Sequence, residues 1–193
     1  MPSADLSELE KLLEYQFTDI RILKHALIHS SYVNEHHLEK PDCNERLEFF
    51  GDAVLEMFTS RYLYKTYPDL MEGALSKMRA SIVSEKPLAA AARQIRLGDF
   101  LYLGNGMEKS NGRDSDAVLS DAFEAVLAAL YLDGGYKIAE RFINRIVLEP
   151  LKNDEYKEDF KSLLQEIVQS KGGTVTYEQI SESGPDHDKT FLF

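Results

Sequence analysis

The chain has 193 residues, 44% of them apolar, enough to bury one good core and a second small module. Its single cysteine, Cys43, excludes an internal disulfide and suits a reducing cytoplasm, and the start MPSADLSELEKLLEYQ lacks the basic flank and apolar run of a signal peptide or membrane anchor. A net charge of -11 argues against a simple basic nucleic-acid binder, though not against a protein that meets phosphate through bound cations.

Leu6, Leu9, Leu12 and Leu13 recur at helical spacing, which predicts a first helix ending near Tyr15. Thr18 or Asp19 can cap a second, with Ile20, Leu23, Ala26 and Leu27 on its apolar face. The polar stretch from Ser31 to Cys43, which contains Pro41, reads as a loop. A long helix then runs from Asn44 to about Tyr67 and stops at Pro68. Residues 72–84 and 85–96 read as two more helices, with Pro87 in the first turn of the latter and Gly98 closing the pair. Residues 104–116, rich in glycine, asparagine and serine, read as an exposed, mobile loop. The next stretch, AVLSDAFEAVLAALYL, is apolar almost all round and therefore a buried helix, closed by Gly134 and Gly135. An amphipathic helix over 137–148 ends at Pro150.

Composition changes there. Residues 1–151 form one helical domain, 152–158 a polar linker, and 159–193 a different object. The last segment gives one helix, a Gly-Gly break, a strand-like TVTYEQIS, a turn at SGPD and a second strand from Lys189, the front half of a small α/β module. No stretch has the length and apolarity of a membrane span. The fold class is mainly α.

The chemistry sits in two acid pairs. On the long helix Glu48 and Asp52 lie one turn apart on one face, and Glu45 extends the row. In the buried helix Asp121 and Glu124 share a face. A carboxylate buried without a partner costs several kcal/mol or takes up a proton. Lysine or arginine partners could compensate. So could a divalent metal, for which hard carboxylate oxygens are suited ligands, and four converging acids can hold one or two Mg²⁺ ions for phosphodiester hydrolysis. The ordinary alternative is a solvated charge strip, which the apolar surroundings of Asp121 and Glu124 disfavour. Gly51 costs its helix roughly 1 kcal/mol against alanine and implies close packing or the close approach of a partner or substrate.

The same residues carry a family resemblance. NERLEFFGDAVLE, followed in order by YPDLMEGALSKMRASIVSEKPLA and LSDAFEAVLAALYLDGG, resembles the motif series of the bacterial ribonuclease III family. DFKSLLQEIVQSKGG with SESGPDHDKTF resembles the opening of a double-stranded-RNA-binding domain. Phe50 departs from the usual leucine. The resemblance implies an all-helical endonuclease domain acting as a homodimer, followed by a partial RNA-binding module. It implies that Glu48, Asp52, Asp121 and Glu124 are metal-binding acids, with Asp52 and Glu124 central to catalysis, and that Glu45 and Glu72 are secondary acids of the same cleft. Phe49, which periodicity alone places in the core, would insert into the partner subunit. The implied activity is Mg²⁺-dependent hydrolysis of duplex RNA, with Mn²⁺ an acceptable substitute, leaving 5′-phosphates and short 3′ overhangs. The implied tasks are ribosomal RNA processing and messenger RNA maturation or turnover in the cytoplasm, with no nucleotide cofactor.

Gln165, Glu166 and His187 match RNA-contacting positions of the tail module. From Asp154 on, however, nine acids face four lysines, a poor electrostatic platform for phosphate. A non-cleaving duplex-RNA-binding protein is thus the alternative, and a carboxylate-rich structural dimer a third. His29, His36 and His37 have no acid or cysteine at ligand spacing and read as loop or core residues. Ser30 and Ser31 read as backbone hydrogen-bonders at the end of the second helix.

Overall fold

Hydrogen-bonding side chains start the first two helices where the sequence places them. The structure, a computed structural model, describes residues 5–39, 42–152, 181–183 and 190–192. The chain divides into two units, Met1–Tyr156 and Lys157–Phe193. Helix α1 (Leu6–Leu13) begins at Asp5, whose carboxylate accepts the Ser7 N–H at 3.0 Å. Helix α2 (Ile20–Ala26) begins at Asp19, which accepts the Arg21 N–H and pairs with its guanidinium. Each cap satisfies a donor that the helix end would otherwise orphan. Leu9, Leu13, Leu23, Ala26 and Leu27 are buried, whereas Ile20 stays exposed, so the packed face of α2 begins later than expected.

The stretch expected as a loop from Ser31 opens instead with helix α3 (Ser30–Glu35). Its cap is His29, whose Nδ1 accepts the Ser31 N–H at 3.1 Å. Histidine is not among the usual capping residues, so the pattern gave no start signal. Helix α4 (Glu45–Thr66) follows Asn44 and ends at Tyr67, where the coming Pro68 disfavours helical backbone. Helices α5 (Glu72–Ile82) and α6 (Glu85–Gln94) come next. The left-handed residue after α6 is Arg96, with φ 53°, and Gly98 lies inside a 3-10 turn, Leu97–Phe100, rather than closing the pair.

The expected mobile loop is folded. Helix α7 (Asn105–Lys109) and a 3-10 turn (Gly112–Asp114) occupy it. It is tied to α3: the Ser31 hydroxyl oxygen accepts the Gly104 N–H at 2.9 Å, and the Glu35 carboxylate accepts the Asn105 N–H at 2.6 Å and its side-chain amide. These long-range ties replace the local signals that the glycines removed.

Helix α8 (Asp116–Gly134) is the centre of the first unit. Every residue from Ala122 to Leu130 except Glu124 is buried. A buried leucine or phenylalanine contributes about 1.5–3 kcal/mol, so this helix anchors the core. It packs most extensively against α4 and then α6, and also against α2 and helix α9 (Tyr136–Ile143). Gly135, at φ 75°, closes α8 in a conformation that side chains disfavour. Near that end the Asp133 carboxylate accepts from the Tyr15 hydroxyl at 2.8 Å and from the Thr18 and Asp19 N–H groups at 2.7 and 2.9 Å, pinning the α1–α2 connection. After α9 the chain continues as a π-helical stretch, Asn144–Leu148, instead of the single α-helix expected, with Ile146, Val147 and Leu148 buried.

In the second unit, strand β1 (Ser181–Ser183) pairs antiparallel with β2 (Thr190–Leu192), Glu182 opposite Phe191. The first strand thus runs through Ser183, which the sequence assigned to the turn. Gln165, Glu166, His187, the linker and the expected helix of this unit lie outside the described residues. Among the described residues no helix is long and apolar enough to cross a membrane.

Candidate active site

Helices α4 and α8 cross where the acids are, and Gly51 is the reason they can meet. A Cβ on Gly51 would lie 1.9 Å from the backbone carbonyl oxygen of Glu124 and 2.5 Å from its carbonyl carbon. Both are backbone atoms that cannot rotate away. The contact sets Glu48, one turn before Gly51, and Asp52, the next residue, against Glu124 and against Asp121 one turn before it. The glycine cost to α4 is thereby explained as the requirement of a close helix crossing.

The charges of these acids act on one another. Burial, then the charges of Asp52, Glu48 and Asp121, push the Glu124 carboxyl up to about 8. Burial and the charges of Asp121, Glu45 and Asp52 raise Glu48. Burial also raises Asp121, against a hydrogen bond from the Ser120 hydroxyl and the attraction of His29, while Glu85 adds to the rise. Among the described residues no three acids, cysteines or histidines stand as a ready ligand set for one ion. The cluster is therefore an array of mutually repelling carboxylates, coupled through space rather than joined.

Glu45 sits exposed in the first turn of α4, where its charge reaches Glu48 and His29. Glu72 opens helix α5. It accepts the Ser76 hydroxyl at 2.7 Å and lines a groove of about 860 Å³ with Ser60, Arg61, Tyr64, Leu70 and Arg79. Among the groups that shift Glu48, Asp121 and Glu124, Glu72 does not figure. Phe49 is 81% exposed, not part of the core that helical periodicity gave it, and Phe50 packs edge-on to Tyr131.

Sequence reasoning missed His29. It is half-buried, and the charges acting on its ring are those of Asp121 and Glu45. Histidine is not a usual cap, so nothing local marked it as the start of α3.

A model of the family described as ribonuclease-III-like matches residues 19–151, and one for the double-stranded RNA binding motif matches 160–193. The chain belongs to the ribonuclease III family. A protein named Ribonuclease 3 from Caldanaerobacter subterraneus is 52% identical over 192 residues, covering 97% of this chain and 83% of the relative. A Ribonuclease 3 from Streptococcus pneumoniae is 46% identical over 193 residues, covering 96% and 83%. The solved nuclease domain of ribonuclease III from Campylobacter jejuni superposes with a TM-score of 0.69 at 38% identity, over 78% of this chain and 99% of that one. Membership of the ribonuclease III family makes the helical unit a nuclease domain and the chain a double-stranded-RNA endoribonuclease.

Proposed function

We propose that this chain hydrolyses both strands of duplex RNA, using divalent cations held between α4 and α8 by Glu48, Asp52, Asp121 and Glu124. The observation that carries the metal reading is the close crossing of α4 and α8 at Gly51 and the Glu124 backbone, which sets the half-buried Glu124 carboxyl among the charges of Asp52, Glu48 and Asp121, an arrangement that a cation relieves. The donor chemistry fits, since four hard carboxylate oxygens suit Mg²⁺ and also Mn²⁺. When bound, Mg²⁺ supplies a more acidic water as nucleophile and positive charge for the phosphate and leaving oxygens. The chain's own part is to hold the carboxylates. Glu124 and Asp121 are fixed by the core helix, Glu48 and Asp52 are brought to them by the Gly51 crossing, and apolar neighbours limit water around Glu124.

A second subunit completes the enzyme in this reading. Phe49 projects from α4 as an 81% exposed aromatic, and the groove beside Tyr64 and Leu70 offers an apolar floor for such a side chain. The Campylobacter nuclease domain is described as having a region involved in dimer formation. Two sites in a homodimer would cut one strand each and leave 5′-phosphates with short 3′ overhangs. The cellular setting is cytoplasmic, in ribosomal RNA processing and messenger RNA maturation or turnover. Glu45 and Glu72 are proposed as outer acids, and Gln165, Glu166 and His187 as RNA contacts.

The test is cleavage of a long RNA duplex in Mg²⁺ by the chain, by Asp52→Asn and by Glu124→Gln. The expected result is short duplex products from the first and a loss of at least about 100-fold from each variant, the scale of a misplaced or missing catalytic group. Retained RNA complex with no product from the unmodified chain would favour the non-cleaving binder instead.

A further inference from the structure

One face of α4 is left uncovered by the rest of the chain. Phe49, Ala53 and Met57 follow Arg46 by three, seven and eleven residues, the spacing of a single helix face, and all four are exposed. Arg46 makes no hydrogen bond, ion pair or ring contact among the described residues. The stripe thus ends in an unmatched cation one turn before Phe49.

A receiving surface lies at the other end of the same helix. The last turns of α4 and the first turns of α5 form the groove of about 860 Å³, with Leu63, Tyr64, Leu70 and Leu75 as its apolar walls. Four of the eight large apolar side chains exposed among the described residues, Phe49, Met57, Tyr64 and Met71, lie on α4 or at the head of α5. Such a concentration marks a docking face. The charges of the groove are sorted as well. Its two arginines are engaged within the chain: Arg61 pairs with Glu140, and Arg79 donates to the Ser60 hydroxyl at 3.0 Å, with Glu56 at 3.9 Å. Among the described residues Glu72 is the acid of the lining; it is exposed, and the hydroxyl of Ser76 that it accepts does not neutralise it.

Stripe and groove sit at opposite ends of one element, so a two-fold pairing lets each chain give one and receive the other. With Phe49 of one chain in the groove of the next, Arg46 stands about 5–6 Å along the helix from it, within a side chain's reach of the groove rim. We propose that this face of α4 docks on a second copy of the chain and that Arg46 pairs with Glu72 of the partner subunit, twice per dimer, fixing the register in which Phe49 enters the groove. The inference rests on the homodimer reading and adds to it the charge pair that selects which chains associate.

The test is sedimentation equilibrium of the full chain without metal, for Arg46→Glu, Glu72→Arg and both together, with melting temperature as the check on folding. Both side chains are exposed, so the variants should fold. An arginine at the head of α5 disfavours that helix slightly, and a double-mutant cycle cancels the effect. Each single reversal sets like charges at both rims and should weaken the dimer at least about 10-fold, whereas the combined reversal should restore most of the affinity. Mixing the two single variants should give a heterodimer tighter than either homodimer, since both of its rims then carry opposite charges. Single variants that associate like the parent, or a double variant and a mixture no tighter than the single variants, would overturn the pairing. A parent chain that stays monomeric would overturn the homodimer reading itself, and the pairing with it.

Discussion

Replacing Gly51 by alanine sets two effects of opposite sign against each other. Alanine favours an isolated helix over glycine by about 1 kcal/mol, so propensity alone makes Gly51→Ala stabilising. The crossing opposes this. The new Cβ would stand 1.9 Å from the Glu124 carbonyl oxygen, and opening that contact to 3.4 Å, where ordinary packing begins, requires α4 and α8 to part by roughly 1.5 Å. Overpacking of a tight core costs about 1–3 kcal/mol even when side chains can yield, and here the obstructing atoms are backbone. The clash wins, with a net destabilisation of about 1–2 kcal/mol, or about 2–8 °C in melting temperature for a domain of this size. Activity should fall further than stability, because a displacement near 1 Å at a reacting centre costs about 100-fold. The assay is thermal unfolding and duplex-RNA cleavage on the same preparation, with Gly73→Ala as control. Gly73, in the first turn of α5, has nothing within 4 Å of its would-be Cβ, so alanine there should show only the propensity gain, up to about 1 kcal/mol, with cleavage unchanged. If Gly51→Ala melts higher than the parent and cleaves normally, the crossing does not set the site.

Three further outcomes follow from the same structure. Without metal, Glu124 holds its proton in the folded chain up to about 8 but loses it near 4.5 when unfolded, so stability should fall as pH rises from about 4.5 to 8 and then level off; Glu124→Gln should flatten much of that slope in melting curves without added metal. Removing the exposed ring in Phe49→Ala should weaken self-association by about 2 kcal/mol, roughly 30-fold, in sedimentation equilibrium, whereas an unchanged constant would remove Phe49 from the interface. Burial alone would raise the Asp133 carboxyl, but the Thr18 and Asp19 N–H groups and the Tyr15 hydroxyl outweigh it and hold it below its ordinary range. Asp133→Ala should therefore cost about 2–4 kcal/mol at neutral pH in denaturant unfolding, a difference that narrows as pH falls below the ordinary carboxylate range.

What was legible in the sequence was local. Asp19 caps α2, Pro68 stops α4, and Gly135 closes α8, because each acts on its own backbone within a few residues. The acid pairs were legible because helical spacing puts Glu48 with Asp52 and Asp121 with Glu124 on single faces. Long-range partners decided the rest. Helix α3 starts on a histidine cap, and α7 forms in a glycine-rich stretch because Ser31 and Glu35 take its N–H groups. Gly51 gave no local reason for its presence, since the atom it makes room for belongs to Glu124.

The central claim is that Glu48, Asp52, Asp121 and Glu124 form one cation site. Its most direct test is a Mg²⁺ titration of the RNA-free chain above pH 8, read as melting temperature. A site whose acids repel one another there should gain stability as the ion binds, by about 2.7 kcal/mol at 100 times the dissociation constant, and Glu124→Gln should lose most of that gain. An equal Mg²⁺ effect in both proteins, or none in either, would contradict it.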